Sequence, residues 1–157
     1  MTTPNKTTEA WGIRLTSIPS DFARALGGVS DQQLRRRPGN GDWSAIEVVG
    51  HMVDKMTIWR GRVEQIRIED TPQLPDYDQD AFVRERDYQN AELLNLLERL
   101  DQVCQRFSAT VLALTETDLG RIGIHSELGR LTIADCIRLP LEAADIHRAQ
   151  MLAALRS

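Results

Sequence analysis

Apolar residues return at helical spacing along most of the chain. Leu15, Ile18, Phe22 and Leu26 step by three and four, which predicts a helix from about Trp11 to Leu26. Pro19 falls inside it and is expected to kink or divide it, and Gly27-Gly28 ends it. Pro38-Gly39-Asn40-Gly41-Asp42 reads as a turn. Ser44-Ala45-Ile46-Glu47 is a capping box, so a second helix opens there and runs to about Glu69, with Ile46, Val49, Val53, Met56, Trp59, Val63 and Ile66 inside. Residues 70–88 form a long connection, with a short helix expected over 79–86. Loops of that length in small domains often carry function. Asn90 is the expected N-cap of a third helix, whose stripe is Leu93, Leu97, Leu100, Cys104, Phe107, Val111 and Leu114. Residues 115–131 read as a second loop. Thr132-Ile133-Ala134-Asp135 opens the last helix, with Ile133, Ile137, Leu141, Ala144, Met151 and Leu155 inside and a bend expected at Pro140. No segment alternates as a strand would, and no internal repeat is found.

Four amphipathic helices bury their stripes by packing together, so the expected class is all-α, a four-helix bundle. The expected organisation is one domain over 1–157, with a loose N-terminus at about 1–10. The 157 residues are 41% apolar and 27% charged with a net charge of -4, which excludes a disordered chain and argues against general nucleic-acid binding. No stretch approaches the roughly 18 apolar residues that span a bilayer, so no membrane contact is expected. Cys104 and Cys136 sit in apolar phase and read as buried free thiols. With no signal segment in view, a cytoplasmic location is expected. Arginine outnumbers lysine 17 to 2, and the run Arg35-Arg36-Arg37 reads as a solvated turn or as an anion patch.

The candidate chemistry rests on histidines. The chain has three, His51, His125 and His147. His51 flanks the stripe of the second helix and His147 lies in that of the last. Imidazoles from two helices that meet inside a bundle are a usual way to hold a transition metal; equally, each could be a hydrogen-bonded histidine without a ligand. Glu47 and Asp54 share the face of His51, so either could orient the ring, complete a metal site or act as a base, or both could be ordinary charges. Trp43 either lines a pocket mouth or staples the helix entry. No nucleophile elbow, Cys-x-x-Cys or phosphate-cradling glycine loop is found.

Trp43-Ser44-x-x-Glu47-Val48-Val49-Gly50-His51-Met52-Val53-Asp54 resembles the signature of the DinB-like, or YfiT-like, superfamily of metalloenzymes. Leu74-Pro75-x-Tyr77-Asp78-Gln79-Asp80-Ala81-Phe82, Glu127-Leu128-Gly129-x-Leu131-Thr132 and Asp145-x-His147-x-x-Gln150 resemble further family segments, in matching order from Pro38 to Gln150. The resemblance implies an up-down-down-up bundle with residues 70–88 as the crossover, and a homodimer. It also implies a zinc or nickel ion held by three histidines, one matching His51 and two from a His-x-x-x-His on the last helix. Of these two, the second matches His147 and the first falls on Ala143; His125 matches a non-ligand histidine. Relatives of this kind include metal-dependent transferases that use low-molecular-weight thiols. The expected enzyme is therefore a divalent-metal-dependent transferase or hydrolase acting on a small molecule. In it His51 and His147 ligate, Asp54 orients or acts as base, and Trp43, Tyr77 and Arg148 hold substrate. The Ala143 departure supports a second expectation, a metal-free member that binds small molecules or serves in stress without catalysis.

Overall fold

Each long apolar stripe becomes one long helix. The computed structural model describes residues 5–157. In chain order the elements are α1 (Lys6–Ala25), α2 (Asp31–Arg35), α3 (Ala45–Ile68), β1 (Gln73–Leu74), α4 (Gln79–Glu85), a 3-10 turn (Tyr88–Asn90), α5 (Leu93–Leu112), α6 (Glu116–Leu119), β2 (Ile122–His125), β3 (Gly129–Thr132) and α7 (Ile133–Leu155). Capping boxes start α3 at Ser44–Glu47 and α7 at Thr132–Asp135, as the sequence predicts.

Three expectations are corrected. First, α1 begins at Lys6 rather than near Trp11, because the Asn5 side chain accepts from the Thr7 N–H. Residues 6–10 of the expected loose N-terminus are thus helical, and residues 1–4 lie outside the described residues. Pro19 is buried within a helix that continues through it. Second, α5 is capped at Glu92, not Asn90, which sits in the 3-10 turn and donates to Asp87. Leu96, rather than Leu93 or Leu97, is the fully buried residue of its first turns. Third, a small sheet exists in order β1-β2-β3, with β1 parallel to β2 and β2 antiparallel to β3. A side chain on Gly123 would come within 2.9 Å of Leu74 and 3.0 Å of Ile66, so only glycine lets β2 lie this close to α3.

The helix directions follow from the ends that meet. Arg121, after α6, donates to the Ile66 and Glu69 carbonyls at the C-terminus of α3. Asn5, at the start of α1, donates to Glu116 after the end of α5. The β2–β3 hairpin leads directly into α7. One end of the bundle therefore gathers the C-termini of α3 and α5 with the N-termini of α1 and α7, which is the up-down-down-up arrangement. Around the bundle, α5 and α7 each pack against both α1 and α3. Because α3 and α5 are parallel, the chain must climb back along α3 between them. Residues 69–92 make that return as a strap of β1, α4 and the 3-10 turn.

The strap explains why α3 is not simply amphipathic. Every residue of α3 from Ala45 to Met56 is buried, including Glu47, His51, Asp54 and Lys55. α5 and α7 cover two of its faces and the strap covers a third. Tyr88 closes the strap against α3, and its ring lies where a Cβ on Gly50 would be, 2.2 Å from the nearest ring atom. Cys104 and Cys136 are buried free thiols, and burial pushes both up to about 12.

Candidate metal and substrate site

Helix periodicity brings His51 and His147 together at the end of the bundle opposite the sheet. Their Nε2 atoms are 3.1 Å apart, with ring centroids 4.5 Å apart and the planes at 75°. Trp43, the residue before the α3 N-cap, covers the pair from 4.6 Å on the His51 side and 6.4 Å on the His147 side. Cavities of about 340 and 270 Å³ open beside Trp43, Gly41 and Asp80, and the second reaches His147 and Gln150.

The hydrogen bonds set the tautomers. Nδ1 of His147 meets the Gln150 Oε1 at 2.8 Å, so with that amide orientation Nδ1 carries the proton and Nε2 presents a lone pair. His51 then donates from its Nε2 to His147. The His51 Nδ1 is buried without a partner. Burial, with His147 and Lys55 adding, pushes the His51 imidazole down to about 3. His147 is lowered for the same first reason, against the opposing Gln150 bond. Both rings are neutral at physiological pH.

The acidic neighbours are otherwise engaged. Asp54 makes no bond to His51. Its Oδ1 accepts from Arg86 at 2.6 Å and from the Tyr88 hydroxyl at 2.7 Å, which ties the strap to α3. Burial raises its pKa in spite of those two donors, and its Oδ2 is buried and unpartnered. These bonds make Asp54 a clamp between the strap and α3. Glu47 accepts two bonds from Arg37, at 2.8 and 3.1 Å, and closes the α3 cap. Arg35 bonds Asp31 and the Gln89 carbonyl, so two of the three clustered arginines are spent on structure. Tyr77 packs on Phe82 at 5.1 Å, with its hydroxyl buried and unpartnered, beside a third cavity further down α3. Arg148 is exposed on α7 and lines none of these cavities. His125 is in β2, where its Nδ1 accepts from the Glu127 and Leu128 N–H groups, away from the other two histidines.

A sequence profile described as the DinB superfamily matches residues 14–151. The chain belongs to the DinB superfamily. Among its relatives, "Putative metal-dependent hydrolase YfiT" of Bacillus subtilis is 25% identical over 119 residues, 76% of this chain and 67% of that protein. A similarly named protein of Geobacillus kaustophilus is 26% identical over 113 residues, 72% of this chain and 64% of that one. One of Oceanobacillus iheyensis is 20% identical over 145 residues, covering 92% and 83%. The matches thus span about two thirds of the first two relatives' length. The solved structure of B. subtilis YfiT, described as having an unusual four-helix bundle topology, superposes with a TM-score of 0.88 over 99% of this chain and 90% of that one, at 23% identity. This DinB fold is therefore shared over nearly the whole chain.

Among the described residues no group of three His, Cys, Asp or Glu side chains could hold a metal. Two imidazole nitrogens on one transition metal, at about 2.0–2.1 Å each and 90–109° apart, lie about 2.8–3.4 Å from each other. The observed 3.1 Å fits such a pair. The residues present thus fit a metal as two adjacent ligands, and Ala143 adds nothing to them. Sequence reasoning missed Gln150 as the group that orients His147, although it sits three residues on. It also missed Lys55, four residues after His51 and buried on the same face, and Arg62 beyond it.

Proposed function

We propose that this protein is a metal-dependent hydrolase of small molecules whose centre is the His51–His147 pair. The reading is carried by the 3.1 Å approach of two neutral imidazole nitrogens beneath Trp43. Such a site would hold a divalent ion, zinc or nickel, through the two Nε2 atoms. When bound, that ion would supply Lewis acidity and a more acidic water. The chain's own residues do the rest: Gln150 fixes the His147 tautomer, Trp43 shields the pair from bulk water, and the cavity at His147 admits the substrate. Loading also requires the His51 proton to move to Nδ1, which has no acceptor. With only two protein ligands, this predicts weak, exchangeable metal.

One observation favours a second reading. A separation of 3.1 Å is also that of an N–H···N hydrogen bond, and no third donor is near. On that reading the protein binds small molecules without metal. The two are separated by loading protein free of a histidine tag with zinc or nickel and measuring bound metal by equilibrium dialysis. The expected result is about one ion per chain, lost in His51→Ala, with hydrolysis of activated esters following the bound metal. No uptake at millimolar metal would leave the metal-free reading.

A further inference from the structure

His51, Lys55, Trp59 and Arg62 follow one another by four, four and three residues, so they form one stripe on α3. The lower part of that stripe faces a cavity of about 250 Å³, closed by the strap at Asp76 and Tyr77 and by His125 of β2. Lys55 is 8% exposed and Arg62 is 5% exposed, so both stems are buried and the two cationic ends meet water only at the inner wall of the cavity. Arg62 is fixed there: it donates to the Pro75 carbonyl at 2.9 Å and stacks on Trp59 at 4.4 Å. Lys55 has no hydrogen-bond or ion-pair partner among the described residues. The Tyr77 hydroxyl is buried without a partner beside the same space.

A buried stem that carries its ammonium to a cavity wall without a hydrogen-bond partner leaves donors free for an anion entering that cavity. The carboxylates lining the cavity are Asp76 and Glu127, at the exposed mouth; Asp76 acts on Lys55 and Arg62 from a distance, and neither carboxylate is within ion-pair reach of them. The cavity is therefore positive within and negative at its rim. That polarity suits a single negative charge carried inward on an uncharged body, and disfavours a dianion, which the rim repels. The apolar surface of Trp59 and Leu128 would take the body.

We infer that this cavity is a carboxylate-binding subsite, with Lys55 and Arg62 receiving the carboxylate of a small monoanionic ligand. Binding there needs no metal. That the ligand is the substrate rests on the proposed function: Lys55 stands one helical turn from His51, so a carboxylate held at Lys55 would orient a molecule whose reacting group extends toward the histidine pair.

The chain has only two lysines, Lys6 and Lys55, so protein labelled with 13C at the lysine ε-carbon gives two signals, assigned by Lys6→Arg. Butyrate is the probe, titrated into protein as purified and again after chelator treatment. The Lys55 signal is expected to move saturably while the Lys6 signal does not, equally in both preparations, and inorganic phosphate is expected to bind at least several-fold more weakly. Lys55→Met should weaken butyrate at least about tenfold, read from the Trp59 indole signal, with an unfolding midpoint equal to or above that of the parent. Arg62→Gln, which removes the second cation, should weaken it several-fold. Absence of a saturable Lys55 shift, undiminished binding in both variants, or tighter binding of phosphate than of butyrate would overturn the inference. Butyrate binding by protein that takes up no metal would leave the subsite standing and remove the hydrolase reading instead.

Discussion

At the scale of single residues, the centre is defined as much by Ala143 as by the histidines. Ala143 lies one helical turn before His147 on the same side of α7, and it is only half-buried. An imidazole placed there would reach toward the His51–His147 pair. Ala143→His is therefore expected to tighten zinc at least about tenfold, measured by competition with a chelating dye, because a third imidazole converts an exchangeable site into one of the usual three-ligand kind. Unchanged affinity would mean that this turn of α7 does not face the pair. Other residues were legible for one of their two roles only. His51 and His147 could be singled out because helical phase alone puts both near the interior. Asp54 shares the face of His51, but its partners are Arg86 and Tyr88, 32 and 34 residues further along, and helical phase carries no trace of them.

At the scale of elements, the caps hold the site in place. Trp43 stands over the histidines because Ser44 ends the preceding turn and starts α3, and Glu47 closes that cap while bound to Arg37. Burial works to raise the Glu47 pKa, but the bonds from Arg37 and Ser44 outweigh it and leave the group below its ordinary value. A carboxylate with a depressed folded pKa contributes stability that is present above the ordinary carboxylate range and is lost as pH falls through the folded value. Glu47→Gln should therefore cost about 1 kcal/mol at pH 7. In urea unfolding the gap to the parent should narrow as pH falls below the ordinary carboxylate range and close once pH is below the folded value; a gap that is constant with pH would show that the charge on Glu47 does not matter. The long helices were readable because their stripes persist over many turns. The strands were not, since elements of two to four residues show no alternation, and β1 pairs with a strand 51 residues away. The start of α5 was misplaced for a related reason: Asn90 has the right chemistry for a cap but is spent on the 3-10 turn, and the strap shifts the buried face to Leu96.

At the scale of the whole molecule, one end of the bundle is tied by the sheet and the other carries the histidines. The sheet joins the end of α3 to the start of α7, the two helices that bring His51 and His147. Gly123→Val would force Leu74 and Ile66 apart. The expected outcome is a loss of about 1–3 kcal/mol, read as a fall of several degrees in the thermal midpoint of one cooperative transition. A separate early transition for the sheet end would show instead that it melts independently. The bundle class follows from the apolar stripes, and its direction pattern from which ends meet. The strap's role as the outer wall of all three cavities was not readable from helical phase, because it depends on how parallel α3 and α5 are joined.

That joining has an evolutionary consequence. Running two successive long helices in the same direction obliges the polypeptide to travel the full height of the bundle between them, whatever that stretch happens to encode. A relative that keeps the inward Leu74, Val83 and Tyr88 can therefore rewrite the outward residues of the return path, and so alter what the pockets admit while the packed interior goes untouched. In this architecture selectivity can diversify on a segment that connectivity makes unavoidable.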